Sequence, residues 1–314
     1  MEEKNLFQEI SLLDTEQVNP NSIEIDSVST IEILEIINNE DRKIAEAVRL
    51  EIPYIAKAVD MITSAFQAGG RLLYFGAGTS GRLGVVDASE CPPTFGVDSE
   101  MVQGFIAGGQ AAMFVAQEGA EDSEENADKY FEDYNINEKD IICGIAASGR
   151  TPFVIGALKS AKKRNIPRIM ITTIQRSSAS KLLDLADVVI CPYVGPEVIA
   201  GSTRMKSGTA QKLVLNMLTT ASMVKIGKTY NNIMVDLQLT NKKLYERAKK
   251  IIMNIAGVSY EEAVALLEAS QGNVKTAIFM ALSGLAKSDA EIALQNANGR
   301  IKEALRINSV VVNK

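Results

Sequence analysis

From Leu72 to Cys191 the chain alternates short apolar runs with helical stretches, and this rhythm restricts the fold more than any other feature. Five runs read as strands: Leu72–Phe75, Val102–Ile106, Ile141–Ala146, Arg168–Ile174 and Val188–Cys191. Each is bounded by polar or glycine-containing segments and is too short for an ordinary helix. Helical segments, Thr151–Arg164 among them, lie between most of the strands. Parallel neighbours need a crossover connection, and helical crossovers cover both faces of the sheet. The expected fold class is therefore α/β, with a doubly wound five-stranded parallel sheet. Ligands of such sheets sit at the carboxyl ends of the strands, near the point where strand order reverses.

The flanks differ from this core. Ser29-Thr30-Ile31-Glu32 has the pattern of a capping box, and a helix with Ile55, Val59, Ile62 and Phe66 on one stripe ends at Gly69-Gly70. Gly201-Ser202 opens a long helix ending near Gly227, whose half from Leu213 to Ile226 is apolar on nearly every face. Such a helix belongs in a core or a subunit interface. Beyond Thr240 the pattern is purely helical, with capping-box patterns at Ser259–Glu262 and Ser288–Glu291 and glycines 257, 272 and 299 at helix ends. Three parts result: an N-terminal segment with helices over 1–56, the α/β domain over 57–230, and a C-terminal helical domain over 231–314.

Composition narrows the chemistry. Among 314 residues there is no histidine, so His-based triads, His-ligated metals and His general bases are excluded. Acid–base work falls to carboxylates, Lys, Tyr or Cys. The net charge of −6, with both signs interspersed, argues against nucleic acid as a partner. Cys91, Cys143 and Cys191 show no paired spacing, which fits a reducing, cytoplasmic compartment. The polar start MEEKNLFQEI is unlike a signal peptide, and no apolar run reaches the roughly 18 residues of a membrane span.

Three segments are suited to an anion. The first strand runs into Gly76-Ala77-Gly78-Thr79-Ser80-Gly81-Arg82. Gly76, Gly78 and Gly81 have the GxGxxG spacing of dinucleotide loops. Thr79 and Ser80 argue for a phosphate monoester instead, whose many oxygens need hydroxyl and backbone N–H donors. A dinucleotide fold would also want an acid ending the second strand, whereas Asp98 and Glu100 precede it. The third strand ends in Ala147-Ser148-Gly149-Arg150-Thr151-Pro152, and Pro152 suits a first helical turn. The third segment is Gly201–Thr209, with Ser202, Arg204 and Lys206 at a helix start. Plain N-capping explains the hydroxyls of each segment taken singly. Two such loops on the first and third strands of one sheet favour a phosphate site. Glu90 stands in Asp87-Ala88-Ser89-Glu90-Cys91-Pro92-Pro93, just after the helix that the first loop starts, where the prolines stiffen the backbone. Glu121 reads as a solvated helix end.

The run Gly76–Arg82 continuing through Asp87-Ala88-Ser89-Glu90-Cys91-Pro92-Pro93-Thr94-Phe95-Gly96 resembles the N-acetylmuramic acid 6-phosphate etherases. So do Gly144–Pro152, Gly201 through Lys212 to Met217, Asn231–Asp236, and Thr15-Glu16 leading to Ser29-Thr30. The likeness reaches to about Arg306. It implies a flavodoxin-like sugar isomerase (SIS) domain with a partly ubiquitin-associated-like helical bundle at its C-terminal end. It also implies a cytoplasmic homodimer with the active site near the interface, acting in cell-wall recycling without metal or organic cofactor. Family enzymes cleave the D-lactyl ether of N-acetylmuramic acid 6-phosphate. By the resemblance Glu90 is the acid that protonates departing lactate and Glu121 is the base at C2. The substrate-binding set is Gly78, Thr79, Ser80, Gly81, Ser148, Gly149, Arg150, Thr151, Glu197, Ser202 and Lys206. One departure is visible: many relatives carry a basic residue in the N-terminal Thr-Glu-x-x-Asn-Pro segment, and this chain has Gln17-Val18. The same fold also serves aldose–ketose isomerases and non-catalytic sugar-phosphate regulators, and fold alone does not separate these.

Overall fold

The computed structural model describes residues 13–312 apart from Glu118, Thr240 and Asn241. Residues 1–12 of the polar N-terminal stretch, the last two residues of the tail and the Glu118 end of the Glu118–Asp122 segment lie outside the described residues. Five strands, β1 (Leu72–Gly76), β2 (Val102–Ile106), β3 (Ile141–Ile145), β4 (Arg168–Ile171) and β5 (Val188–Ile190), form one parallel sheet in the order β2-β1-β3-β4-β5. Every strand starts at the residue its sequence pattern indicates. β1 continues to Gly76, while β4 stops at Ile171 and not Ile174. Beyond it the Thr172 and Thr173 hydroxyls both reach the Ala147 carbonyl, and their N–H groups bond the Ile190 and Ala147 carbonyls. β1 and β3 are buried at every residue. That continuous apolar character is what a sheet covered on both faces requires. Strand order reverses between β1 and β3, so the loops that follow these two strands flank the switch point.

Before the sheet come α1 (Thr30–Asp41), α2 (Ile44–Leu50) and α3 (Ile52–Gln67). α1 has the Ser29–Glu32 capping box, and α3 buries the Ile55, Val59, Ile62 and Phe66 stripe. Within the sheet region follow α4 (Gly78–Phe95), α5 (Glu125–Asp133), α6 (Pro152–Lys163), the short α7 (Ser180–Leu183) and α8 (Lys206–Lys225). On one side the core is aromatic: Phe75 of β1 meets Phe105, Phe131 and Phe153 with ring centroids 5.0, 5.9 and 5.9 Å apart. α4 departs from expectation, since it runs through Pro92-Pro93 to Phe95 and so carries Glu90 on the helix itself. The prolines fall in its last turn. Their missing N–H groups would have served only the Ala88 and Ser89 carbonyls, and the Gly96 N–H still closes on the Pro92 carbonyl at 2.9 Å.

Two compact units divide the described chain, residues 1–89 with 100–219, and residues 90–99 with 220–314. In the second, β6 (Thr229–Tyr230) and β7 (Ile233–Met234) form a hairpin, followed by α9 (Lys242–Ala256), α10 (Tyr260–Ala269), α11 (Val274–Ser283), α12 (Lys287–Asn296) and α13 (Ile301–Val312). Its core joins Ile252, Ala263, Ile278, Phe279 and Ile301. The Asp236 carboxylate takes Lys275 at 2.6 Å and Lys228 at 3.1 Å. Gly96 lies so close to the Asp236 carbonyl that a Cβ there would sit 1.9 Å from the oxygen. Ser259–Glu262 forms its capping box. Ser288–Glu291 does not, because α12 begins at Lys287 after the extended Ala286, two residues before the start that a Ser288 cap would give, and Lys287 donates to the Gln271 side chain. Among the described residues no helix is long and apolar enough to cross a membrane.

The N-terminal segment is fastened to the α/β unit by a buried ionic cluster. Glu40, at the end of α1, accepts the Lys206 ammonium at 2.6 Å, and both side chains are almost fully buried. Lys43, Asn19 and Asn21 complete its shell. Burial opposes the charge of Glu40, but these donors outweigh it and hold the carboxyl down at about 2. A folded-state value below the unfolded one means stability that is complete above the ordinary value of 4.5 and is lost as pH falls toward 2. The difference amounts to about 3 kcal/mol. Glu40→Gln strands the Lys206 ammonium and is expected to cost about 3–5 kcal/mol in denaturant unfolding at neutral pH. The gap between variant and wild type should close as pH drops below 4.

Candidate active site

The β1–α4 turn is built by contact between glycines. A Cβ on Gly76 would meet the Gly81 nitrogen at 2.6 Å, and one on Gly81 would meet the Gly76 carbonyl oxygen at 2.7 Å. Only glycine at both positions lets the helix start directly over the strand end. Gly78, at φ +52°, begins α4, and Thr79 is half-buried beside Gly208 of α8. The buried Ser80 hydroxyl donates to Gln211 Oε1 at 2.8 Å. Bare N–H groups of the first helical turn thus face the switch point, with the positive end of the helix dipole behind them.

The loop after β3 has the same plan. Gly149 is buried at φ +69°, Ser148 and Thr151 are half-buried, and Arg150 is exposed. Thr151 occupies the N-cap position of α6, yet its side chain makes no cap hydrogen bond. The Ser148 Oγ accepts the Arg150 N–H at 3.4 Å, a weak contact. Ordinary capping therefore leaves the Thr151 hydroxyl unexplained. An open cavity of about 740 Å³ flanks this loop, with Ser148, Gly149, Arg150, Ile174 and Leu182 in its wall.

α8 starts later than its sequence suggests. Residues 201–205 form turns, and helical pairing begins at Lys206. The cause is Glu197, fully buried, whose two carboxylate oxygens accept the N–H groups of Lys206 and Ser207 at 2.8 and 2.9 Å. A carboxylate at a helix N-terminus satisfies orphan donors and the dipole together. Both charged members of the expected binding set in this region are thus engaged within the fold, Glu197 with the helix start and Lys206 with Glu40. Ser202 is half-buried, its N–H on the Ile199 carbonyl. The first turn of α8 also links the two loops. Ser207 Oγ lies 3.0 Å from the Thr173 hydroxyl, which reaches the Ala147 carbonyl of the β3 loop, while Gln211 one turn on holds Ser80 of the β1 loop.

Three carboxylates stand out. Asp87 of α4 is buried and receives hydrogen bonds from the Tyr74 hydroxyl, the Asn216 amide and the Thr219 hydroxyl at 2.9, 2.8 and 3.2 Å. Burial pushes its carboxyl up against the pull of these donors. Glu90, one turn further along α4, is exposed. Glu121 sits in a turn ahead of α5, not at a helix end, and its carbonyl accepts the Phe153 N–H at 3.0 Å. That bond attaches Glu121 to the first turn of α6, directly behind Ser148 and Thr151. Although much of the residue is accessible, partial desolvation and then the negative charge of Asp122 raise its carboxyl above the usual range. Sequence reading missed Gln211, Ser207, Thr173 and the Asp87 partners. The available signal was the polar residues Gln211, Asn216 and Thr219 among the apolar residues of that helix.

The parallel sheet with hydroxyl-bearing helix starts at its switch point defines a SIS-domain protein, and the SIS domain family matches residues 109–221. The glucokinase regulatory protein N-terminal SIS domain matches residues 54–162, and the C-terminal lid domain of glucokinase regulatory protein matches 231–311. An N-acetylmuramic acid 6-phosphate etherase of Salinibacter ruber is 54% identical over 303 residues, 96% of each chain. That of Clostridium beijerinckii is 54% identical over 294 residues, 94% of this chain and 96% of the relative. Among solved structures, phosphoheptose isomerase GmhA from Neisseria gonorrhoeae is similar at 17% identity and a TM-score of 0.42, over 61% of this chain and 97% of its own. The chain belongs to the N-acetylmuramic acid 6-phosphate etherase family, a family of carbon–oxygen lyases.

A phosphate-donor role for Ser80 and Ser148 predicts that Ser80→Ala and Ser148→Ala each weaken sugar-phosphate binding about tenfold. Calorimetric titration checks this. Unchanged affinity in both variants means that the hydroxyls serve only the fold.

Proposed function

We propose that this chain cleaves the D-lactyl ether of N-acetylmuramic acid 6-phosphate with water, giving N-acetylglucosamine 6-phosphate and D-lactate for peptidoglycan recycling. Family membership supports the substrate. The observation that carries the chemistry is Glu121, a carboxylate with a raised pKa tied by its own carbonyl to the first turn behind the β3 loop. The 6-phosphate is gripped by the backbone N–H groups and hydroxyls of Gly78–Gly81 and Ser148–Thr151. Ring opening exposes an aldehyde at C1, which acidifies the C2 proton. Glu121 takes that proton, the C3–oxygen bond breaks, and Glu90 protonates the departing lactate oxygen. Water then adds across the C2–C3 double bond, with hydroxyl to C3 and a proton to C2. A base with a raised pKa is better matched to proton abstraction near neutral pH than an ordinary carboxylate.

The place of Glu90 bears on assembly. It follows Ser80 by ten residues of α4, about 15 Å of helical rise. A hexose 6-phosphate held at Ser80 does not span that distance. Glu90 therefore acts on substrate gripped by the loops of a second copy, in a homodimer whose site lies at the interface. We infer a cytoplasmic location, where the phosphorylated substrate and reduced cysteines belong.

The purified protein should release lactate from N-acetylmuramic acid 6-phosphate without added metal or nicotinamide cofactor. Binding without lactate release would mean a non-catalytic regulator, and aldose–ketose interconversion would mean an isomerase. Glu90→Gln and Glu121→Gln should fold normally and lose about 10²–10⁴-fold in kcat, the scale of a lost acid or base. Glu121 must be ionised to act. The acidic limb of kcat/KM should therefore lie above the ordinary carboxylate value of 4.5 and vanish from the residual activity of Glu121→Gln.

A further inference from the structure

Gln211 is 1% exposed, and its Nε2 has no hydrogen-bond partner, while its Oε1 accepts the Ser80 hydroxyl at 2.8 Å. A buried N–H donor without an acceptor is rare, because it forfeits its water and gains nothing in return. The pairing has a second consequence. A serine hydroxyl has one hydrogen, and here that hydrogen is committed to Gln211. An ionised phosphate oxygen only accepts, so in this arrangement Ser80 has no hydrogen left to give it.

The amide side chain resolves both difficulties at once. Half a turn about its last torsion exchanges Oε1 and Nε2 within the same volume. Nε2 then donates to Ser80 Oγ, the Ser80 hydrogen is released, and a carbonyl oxygen takes the place of the unpartnered N–H. An under-satisfied carbonyl is tolerated better than an orphaned N–H. We propose that Gln211 is a positioning residue for phosphate recognition: its amide accepts from Ser80 in the empty site and donates to Ser80 when a phosphate oxygen is bound. Glutamine is suited to both roles, whereas a carboxylate only accepts and a thioether does neither with useful strength. The inference rests on Ser80 being a phosphate ligand, and Gln211, 1% exposed, is assigned to act through Ser80.

The test is a double-mutant cycle on KM for N-acetylmuramic acid 6-phosphate, with inorganic phosphate as competing probe. Gln211→Met keeps the volume and should raise KM and the phosphate inhibition constant about fivefold with kcat unchanged, as loss of uniform binding does. Gln211→Glu, which holds the Ser80 hydrogen permanently, should raise them further. In the Ser80→Ala background Gln211→Met should have no added effect. A purely structural Gln211 would lower thermal stability, or move kcat, equally in both backgrounds. The proposal is overturned if Ser80→Ala weakens phosphate binding but Gln211→Met does not, or if the Gln211→Met effect persists in full without Ser80. If Ser80→Ala alone leaves KM unmoved, the phosphate-loop reading has failed together with it. If Gln211→Glu does not fold, the Met variant in the two backgrounds decides alone.

Discussion

Two buried carboxylates fix the first turn of α8, and the loops around the switch point depend on that turn. Glu197 takes the backbone N–H groups of Lys206 and Ser207, and Glu40 takes the Lys206 ammonium. A charge buried without a partner costs several kcal/mol, so each of these groups makes the others tolerable. Asn19 adds the N-terminal segment by bonding both Glu40 and the Pro196 carbonyl, and the Ser22 hydroxyl reaches the Val198 carbonyl at 2.7 Å. Gln17 and Val18 lie exposed between the buried Thr15 and Asn19. The segment holds through its buried polar residues. Once α8 is set, Ser207 meets Thr173 and Gln211 meets Ser80, so one helix turn registers the loops after β1, β3 and β4 against one another.

A chain without histidine must separate its acid and base by environment alone. At Glu121, the base of the proposed reaction, partial desolvation and a neighbouring aspartate act in the same direction. Asp87 shows the opposite design, with three hydrogen-bond donors opposing the penalty of burial. It is buried, and its hydrogen bonds pin α4 to β1 and α8 one turn before Glu90. Neighbouring acids in a single motif thus divide into a structural one and a solvent-facing one.

What the sequence made legible was local. Strand starts followed from apolar runs, and the turn at Gly76–Gly81 followed from glycines at a spacing that permits backbone contact. Helix boundaries set by distant groups were not legible. The start of α8 depends on a carboxylate nine residues upstream, and Lys206 finds its counter-ion 166 residues away. Neither pairing leaves a periodic trace. α4 misled for another reason: a double proline reads as an ending, but in the last turn it costs only the bonds to the Ala88 and Ser89 carbonyls and the helix still closes at Gly96. The tie between Glu121 and α6 was invisible because a backbone carbonyl carries no residue signature. The family resemblance is what singles out Glu121.

With Lys206 neutralised by Glu40, the grip proposed for the phosphate draws on neutral donors: backbone N–H groups at two helix starts and hydroxyls of serine and threonine. This suits a protein of net charge −6, in which long-range attraction for an anion is absent and recognition must come from short-range geometry. Neutral donors also discriminate more sharply by shape. A lysine ammonium attracts any anion within reach, whereas hydroxyls and N–H groups fixed by packing reward only oxygens at the right positions. The rigidity demanded of such a site is what the α8 turn provides. Its ionic cluster lies below the loops and serves by holding the neutral donors still.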